Sequence, residues 1–299
     1  MKQSALQFIK SGSLRSQQPG FSHALKLGYN QIDRTRLSID AGRRALTYRY
    51  RFSEDVPRAT AGLLMALMDE LSTTAAFALR GPCPPGASIQ MHTEIFGGGG
   101  PLAETDGVDA ISTVVKAGRT ITNTQTEFFC SSSGRLLALA THIKYVPTGS
   151  WVMDLLLTNR RLWGLYARLR VNGATVPYHR EASLLEGVIR PHLDFRGADR
   201  ATFRCTAEHA NPLGSLHGGC IAVVMEEVGA TYARSRLGRE REVFLGDLHV
   251  EFLRPGKGTL DVECETIAPV DGPSIYVRVA LKGKGRTLSV GKLRFHTTQ

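Results

Sequence analysis

Two stretches of the chain resemble each other: residues 61–79 read AGLLMALMDELSTTAAFAL, and residues 218–236 read GGCIAVVMEEVGATYARSR. A constant offset of 157 positions (61 against 218) aligns them and pairs Leu64 with Ile221. The aligned apolar residues recur at i, i+3, i+4 and i+7, which is the spacing of one helical face. The sequence therefore predicts one unit repeated twice, with a long apolar helix in each copy.

An acidic pair lies in the middle of each predicted helix. The alignment places Asp69 on Glu226 and Glu70 on Glu227. Adjacent residues of a helix point about 100° apart, so one acid of each pair can reach solvent while the other faces something specific. Asp69 and Glu226 are therefore candidates for a functional site.

Four strand-like stretches follow each helix, and a shorter one precedes it. In the first half, strands are predicted at 46–52, 88–96, 109–117, 119–130 and 135–146. In the second half, they are predicted at 201–207, 244–252, 258–267, 274–282 and 286–295. Short loops that contain glycine predict hairpins between them. Because a helix that is apolar on most sides needs burial, each half is expected to wrap an antiparallel sheet around its helix.

The peptide before the second helix is the most distinctive motif. Residues 211–219 read NPLGSLHGG, so Asn211 lies six residues before His217, and Glu226 lies nine residues after it. Glycines at a helix start let a ligand approach the backbone, where the first N–H groups are unpaired donors at the positive end of the helix. Such a helix start can stabilise negative charge that develops on a substrate oxygen.

This combination resembles the motif of acyl-CoA thioesterases with the hotdog fold, of the 4-hydroxybenzoyl-CoA and phenylacetate-pathway type. The predicted order of strands and helix is also the order of that fold, and the resemblance extends from about residue 40 to residue 299. It implies two tandem hotdog domains in the α+β class, each a curved antiparallel sheet around a long central helix. It also implies a hydrolase that converts a fatty or aromatic acyl-CoA to the free acid and CoA, with no cofactor other than the CoA of its substrate.

The resemblance implies a composite site, because in the family the glycine loop of one hotdog unit faces the helix acid of its partner unit. The implied residues come from both repeats and are Asp69, Ser88, Asn211, His217 and Gly218. The N–H of Gly218 would form an oxyanion hole with the Asn211 amide, and His217 would orient the loop or donate to the same oxygen. Asp69 would activate water or attack the thioester, and Ser88 matches a position where related thioesterases carry a water-orienting serine.

The opposite half-site is expected to be degenerate. Residues 60–62 read TAG where residues 217–219 read HGG, and Leu245 stands where the first repeat has Ser88. Glu226 occupies the acid position of that half-site and stays a candidate, because some hotdog thioesterases use glutamate there. Purely structural roles are the alternative for these residues, such as a solvent-facing acid on a helix, a turn-forming asparagine or a structural histidine.

Substrate binding is predicted along the interface beside the two central helices. The residues expected there are Gly219, whose N–H is a further candidate donor, and Leu67, Leu71 and Val224. The net charge of +10 suits the phosphates of CoA, although it does not indicate which Lys or Arg would bind them.

The length of 299 residues is about twice that of a typical domain of roughly 150. The predicted parts are a basic N-terminal segment (1–35), a first hotdog domain (36–148), an amphipathic linker helix (149–185) and a second hotdog domain (186–299). The first segment contains no Asp or Glu up to residue 32, which favours either a mitochondrial targeting segment or a disordered basic tail. The linker helix is expected to pack on the domains, with contact to a membrane surface or a partner as the alternative.

Composition narrows the compartment and the partners. The 5 cysteines are scattered without a Cys-x-x-Cys pair, which favours a reduced intracellular compartment, mitochondrial or cytoplasmic, and no metal site. No apolar run approaches the roughly 18 residues of a membrane span, and no nucleic-acid-binding motif accompanies the positive charge. The expected partner is an acyl-CoA, bound by a monomeric double hotdog or a homo-oligomer.

Two other functions stay open at this point. The repeats can form a noncatalytic module that binds acyl-CoA or an acyl lipid, if the decay of one half-site has abolished turnover. An enoyl-thioester hydratase or dehydratase is also compatible with the fold, although no Asp/His pair of the hydratase type follows a glycine loop.

Overall fold

The computed structural model shows one antiparallel sheet with two long helices packed against it. It describes residues 38–51, 60–80, 86–96, 107–146, 184–211, 213–238, 241–268 and 272–297. The predicted N-terminal segment lies outside the described residues. The predicted linker helix does too, except for its last two residues, which begin a single π-helical turn, Leu184–Ile189.

The helices and strands follow the predicted order in both halves. The first half contains β1 (Ser38–Asp40), β2 (Ala45–Arg51), α1 (Ala61–Arg80), β3 (Ala87–Ile95), β4 (Gly107–Ala117), β5 (Ile121–Cys130) and β6 (Leu136–Tyr145). The second half contains β7 (Leu193–Phe195), β8 (Arg200–Cys205), α2 (Gly218–Leu237), β9 (Val243–Phe252), β10 (Gly258–Thr266), β11 (Ser274–Gly283) and β12 (Arg286–Thr297). Only the edge strands β1 and β7 were not predicted, because three residues are too few to show an alternating pattern.

The sheet joins the two repeats through their matching central strands. The strand order is β1-β2-β4-β5-β6-β3-β9-β12-β11-β10-β8-β7, so the second half repeats the order of the first in reverse. β3 and β9 pair antiparallel, with His92 opposite His249. This arrangement confirms the α+β class, and it places both helices against one continuous sheet that has the same strand order in each half.

Both helices are apolar because they are covered on most sides. Leu64 and Met68 of α1 and Val224 and Met225 of α2 have no exposed surface. The predicted substrate-binding residues Leu67, Leu71 and Val224 all belong to this core. Within the described residues, neither helix is long and apolar enough to cross a membrane.

The helices come into close contact at glycines near their N-termini. A Cβ atom on Gly219 would lie 2.7 Å from Ala66 Cα, and one on Gly62 would lie 3.1 Å from Val223 Cα. The start of each helix thus meets the middle of the other, so α1 and α2 are antiparallel. The missing side chain of Gly219 serves this packing, because backbone of α1 occupies the space, and its expected part in substrate binding stays a prediction.

We expect Gly219→Ala to lower the free energy of unfolding by about 1–3 kcal/mol, because overpacking against backbone cannot be relieved by a rotamer change. Gly229→Ala in the same helix is the matched control. The atoms nearest to its Cβ would be the side-chain ends of Leu293 and Phe295, at 3.2 Å. Urea unfolding of both variants checks this, and an equal loss from the two substitutions would contradict the packing role of Gly219.

Candidate active site

Asp69 lies at the contact between the two repeats. It occupies the middle of α1 and is only 4% exposed. Its Oδ2 accepts a hydrogen bond from the Gly219 N–H at 3.2 Å and lies 3.4 Å from His217 Nδ1. The acid of the first repeat thus faces the glycine loop of the second, which is the juxtaposition that the resemblance implies.

Gly218 and Ser88 face the same carboxylate. A Cβ atom on Gly218 would lie 2.9 Å from Asp69 Oδ2 and 3.3 Å from Ser88 Oγ. The absent side chain therefore leaves open the space where the first residue of α2, the carboxylate and the hydroxyl converge. Among the described residues, the Gly218 N–H has no hydrogen-bond acceptor, so a donor is available at the positive end of this helix.

Lys144 of β6 is a member of the site that the sequence did not predict. Its Nζ lies 3.0 Å from Asp69 Oδ1 and 2.5 Å from Thr73 Oγ1. The Thr73 hydroxyl in turn donates to the backbone carbonyl of Asp69 at 2.6 Å. An ammonium group and a carboxylate thus form a buried ion pair, anchored to one turn of α1.

A second unpredicted group links Ser88 to the helix. His142 Nε2 lies 3.0 Å from Ser88 Oγ and 3.8 Å from Asp69 Oδ1, and its Nδ1 lies 2.6 Å from Ser72 Oγ. The ring is fully buried. His142 therefore fixes the Ser88 hydroxyl beside the carboxylate through hydrogen bonds on both sides of the imidazole.

The neighbours of Asp69 determine its charge. Burial alone would raise the pKa of its carboxyl group, but Lys144, and after it His217, outweigh burial and hold that pKa well below its usual range. Asp69 is therefore an anion at neutral pH. The His142 ring is neutral there, because burial and the nearby ammonium lower its pKa to about 3.

His217 caps α2 and lies between two acids. Its Nε2 is 3.3 Å from Glu70 Oε1, on the opposite side of the ring from Asp69. Burial lowers the pKa of His217, but the two carboxylates raise it overall. An imidazolium donates from both nitrogens, so the Gly219 N–H then has Asp69 as its acceptor. A neutral ring accepts that N–H at Nδ1, 3.1 Å away.

Asn211 bonds within its own loop, and its predicted part in the oxyanion hole stays a prediction. Its Oδ1 accepts from the N–H groups of Leu213 and Ser215, at 2.9 and 3.2 Å, and its Nδ2 donates to Ser215 Oγ at 2.9 Å. These are the bonds of a turn-forming asparagine. Asn211 therefore shapes the loop that leads into α2 through bonds from both ends of its amide.

The opposite half-site places Glu226 at the start of α1. Its Oε2 accepts from the Gly62 N–H at 2.9 Å, and the carboxylate also bonds Thr60 and the Ala61 N–H. Because glutamate is one methylene longer than aspartate, the Glu226 carboxyl group reaches the helix start and accepts hydrogen bonds from both of its first two N–H groups. No equivalent of the open Gly218 donor is left among the described residues of this half-site.

Apolar residues of the second repeat occupy the strand positions that hold the polar neighbours of Asp69 in the first repeat. The sheet register pairs Leu245 with Phe295 in the second repeat, as it pairs Ser88 with Lys144 in the first. By the same register Leu293 stands in place of His142. Burial in this setting raises the pKa of Glu226 from 4.5 to about 7.

We expect this shift to appear in the pH dependence of stability. A carboxyl group whose pKa is higher in the folded state retains its proton longer than the unfolded chain does, so the free energy of unfolding falls as pH rises from 4.5 to about 7. At about 1.36 kcal/mol per pKa unit, the fall is on the order of 3 kcal/mol. Urea unfolding at several pH values should show Glu226→Gln without this fall, and an unchanged slope would contradict it.

A pattern in β6 could have revealed the unpredicted residues. Side chains of a strand alternate between faces, and Ala138, Ala140, His142 and Lys144 share the buried face. Two charged or polar residues on an inward face need partners. That requirement marks His142 and Lys144 as candidates, although it does not identify Asp69 and Ser88 as what they meet.

One group of described residues carries several metal-binding atoms close together, namely His192, Glu208 and His209. His209 Nε2 lies 2.7 Å from the Val188 carbonyl, and its Nδ1 accepts from the Thr206 N–H at 3.0 Å. Both ring nitrogens are thus used to cap a short helical turn and to join it to the neighbouring segment, which explains the cluster without a metal.

These features define a tandem hotdog protein with a carboxylate and a His-Gly-Gly helix start at the junction of its repeats. Residues 213–290 match the family model of the thioesterase superfamily. No curated protein sequence matches the chain.

Several solved structures share the fold over most of the chain. A Lactobacillus plantarum protein, provisionally assigned as an oleoyl thioesterase, has a TM-score of 0.57 at 10% identity, covering 87% of this chain and 98% of its own. A tesB protein of Mycobacterium avium subspecies paratuberculosis has a TM-score of 0.56 at 12% identity, covering 94% of this chain and 100% of its own. Acyl-CoA thioesterase II TesB2 of Mycobacterium marinum has a TM-score of 0.52 at 12% identity, covering 92% of this chain and 97% of its own. The predicted hotdog fold is therefore confirmed.

Proposed function

We propose that this protein is a thioesterase that hydrolyses acyl-CoA to a free acid and CoA. The observation that supports this most directly is the meeting of Asp69, an ionised and buried carboxylate, with the open N–H of Gly218 at the start of α2. The match of the second repeat to the thioesterase superfamily supports the same reaction class.

The helix start would bind the oxygen that becomes negative. When a nucleophile adds to a thioester, the carbonyl oxygen takes the electron pair of the C=O bond. The Gly218 N–H and the positive end of α2 stabilise that charge, a contribution worth about 10² to 10³ in rate for one donor. His217 caps the same helix start, and its two acidic neighbours raise its pKa and so favour the imidazolium form.

Asp69 would supply the nucleophile. In the first route it takes a proton from water while the water oxygen attacks the thioester carbon, and Ser88, held by His142, orients that water. In the second route the carboxylate attacks, and water then hydrolyses the resulting anhydride. In both routes the C–S bond breaks and the sulfur leaves as a thiolate, which needs no strong general acid.

The substrate class follows from charge and from the two helices. The net charge of +10 suits the CoA phosphates, and a fatty or aromatic acyl group would extend from the start of α2 along the junction of the two repeats. No cofactor is needed, because the CoA belongs to the substrate.

The test is thiol release from a panel of short, medium, long and aromatic acyl-CoAs with the full chain. Release from at least one member supports the proposal. Binding of the CoA esters without release, measured by calorimetry, would move the protein to the class of acyl-CoA binding modules. Turnover of an enoyl-CoA without thiol release would move it to the hydratases, and either result overturns the proposal.

A further inference from the structure

Lys144 is a buried cation with a single acidic partner, Asp69, within the part of the chain that the structure describes. Its side chain is 11% exposed, and its Nζ contacts Asp69 Oδ1 and Thr73 Oγ1. Withdrawing an ammonium group from water is costly unless a charge and hydrogen bonds compensate. Because both partners belong to one turn of α1, Lys144 ties β6 to the helix at the position of the candidate catalytic acid.

The two half-sites of the chain provide an internal comparison. In the first, the carboxylate faces Lys144; in the second, the register places Phe295 at that position. The pKa of Asp69 lies well below its usual range, whereas that of Glu226 is raised to about 7. The repeats share their fold, so the ion pair is a major chemical difference between the surroundings of the two acids.

The other groups around Asp69 do not replace this ion pair. His142, which belongs to β6, is neutral at pH 7 because burial lowers its pKa to about 3. His217, which belongs to the glycine loop, lies between Asp69 and Glu70, and its Nε2 faces Glu70. Among the described residues around Asp69, Lys144 is thus the group that brings a full positive charge next to Oδ1.

We propose that Lys144 is a positioning residue for the reaction at Asp69, and this rests on the proposed thioesterase function. Its ammonium keeps Asp69 ionised and binds Oδ1, so that Oδ2 is the oxygen presented to Gly218 and the start of α2. Lys144 acts through Asp69 and need not touch the substrate.

Loss of the Lys144 charge is expected to shift the pH profile of activity in one direction. The reaction needs the Asp69 anion, so activity falls as pH drops through the pKa of that group. Removing the ammonium removes the largest influence that lowers this pKa. The acid limb of the profile must therefore move to higher pH when Lys144 loses its charge.

The experiment compares kcat/KM against pH for the best acyl-CoA of the panel in wild type, Lys144→Met and Lys144→Gln. Glutamine keeps a hydrogen-bond donor near Thr73, so the test survives if the Met variant does not fold. Both variants should move the acid limb upward by about 1–3 pH units, the effect of one adjacent opposite charge, with kcat at neutral pH reduced and KM little changed. Lys282→Met is the matched control, because that lysine pairs with Glu263 across β10 and β11.

An acid limb that stays at its wild-type position in a folded variant overturns the proposal. Carboxyl ¹³C NMR titration of aspartate-labelled protein, assigned with Asp69→Asn, gives a readout without turnover. If wild type releases no thiol, the thioesterase function fails, and the titration still decides whether Lys144 lowers the pKa of Asp69. An Asp69 signal that titrates identically in wild type and Lys144→Gln would refute the role of Lys144 independently of activity.

Discussion

Asp69→Asn should lower kcat/KM for the best acyl-CoA by about 10² to 10⁴, the usual contribution of a positioned acid–base group. Asparagine has nearly the same shape but carries no charge, so it cannot take a proton from water or attack a thioester. Thiol-release kinetics measure the loss. The substitution also leaves the Lys144 ammonium buried without its counter-ion, so stability must be measured beside activity.

Two further variants separate chemistry from stability. Glu226→Gln changes the equivalent acid of the other half-site, where the carboxylate already occupies the helix start, and we expect activity to be nearly unchanged. Asp69→Asn combined with Lys144→Met removes both charges of the pair. We expect this double variant to regain stability without regaining activity. A large loss in Glu226→Gln together with an active Asp69→Asn would place the reaction in the opposite half-site and contradict the role proposed for Asp69.

Gly218→Ala is the substitution with the second-largest expected effect. The new methyl group would lie 2.9 Å from Asp69 Oδ2 and 3.3 Å from Ser88 Oγ. It would displace the carboxylate and fill the space where a thioester must approach the helix start. A misplacement of about 1 Å at a reacting group can cost about 10² in rate, so we expect a loss of at least that size in kcat/KM.

The first repeat provides the control for this substitution. Ala61 occupies the position equivalent to Gly218, so the opposite half-site already carries the methyl group. Ala61→Gly should leave thiol release nearly unchanged. Circular dichroism of Gly218→Ala should show intact helices, because alanine favours a helix more than glycine does. A fully active Gly218→Ala would show that the thioester binds elsewhere.

Most of the fold and part of the site could be predicted from local patterns. The 3.6-residue periodicity marks α1 and α2, and the alternation and turn residues mark the strands that follow them. The repeat aligns Asp69 with Glu226, and the asymmetry of residues 60–62 and 217–219 singles out one half-site. Asn211 shows the limit of a motif, because its spacing predicts its place in the loop but not the direction of its amide.

The sequence by itself determined the two repeats, their helices and strands, and the identity of the acid and the glycine loop. These features depend on spacings within about one element, which the side-chain pattern records directly. The tertiary structure decided which distant groups surround the acid. Lys144 and His142 lie 75 and 73 positions from Asp69 in the chain, and they reach it because β6 is paired beside β3 with both side chains turned inward. The charge of Asp69 depends on those neighbours, since burial without a cation leaves Glu226 with a raised pKa in the same fold.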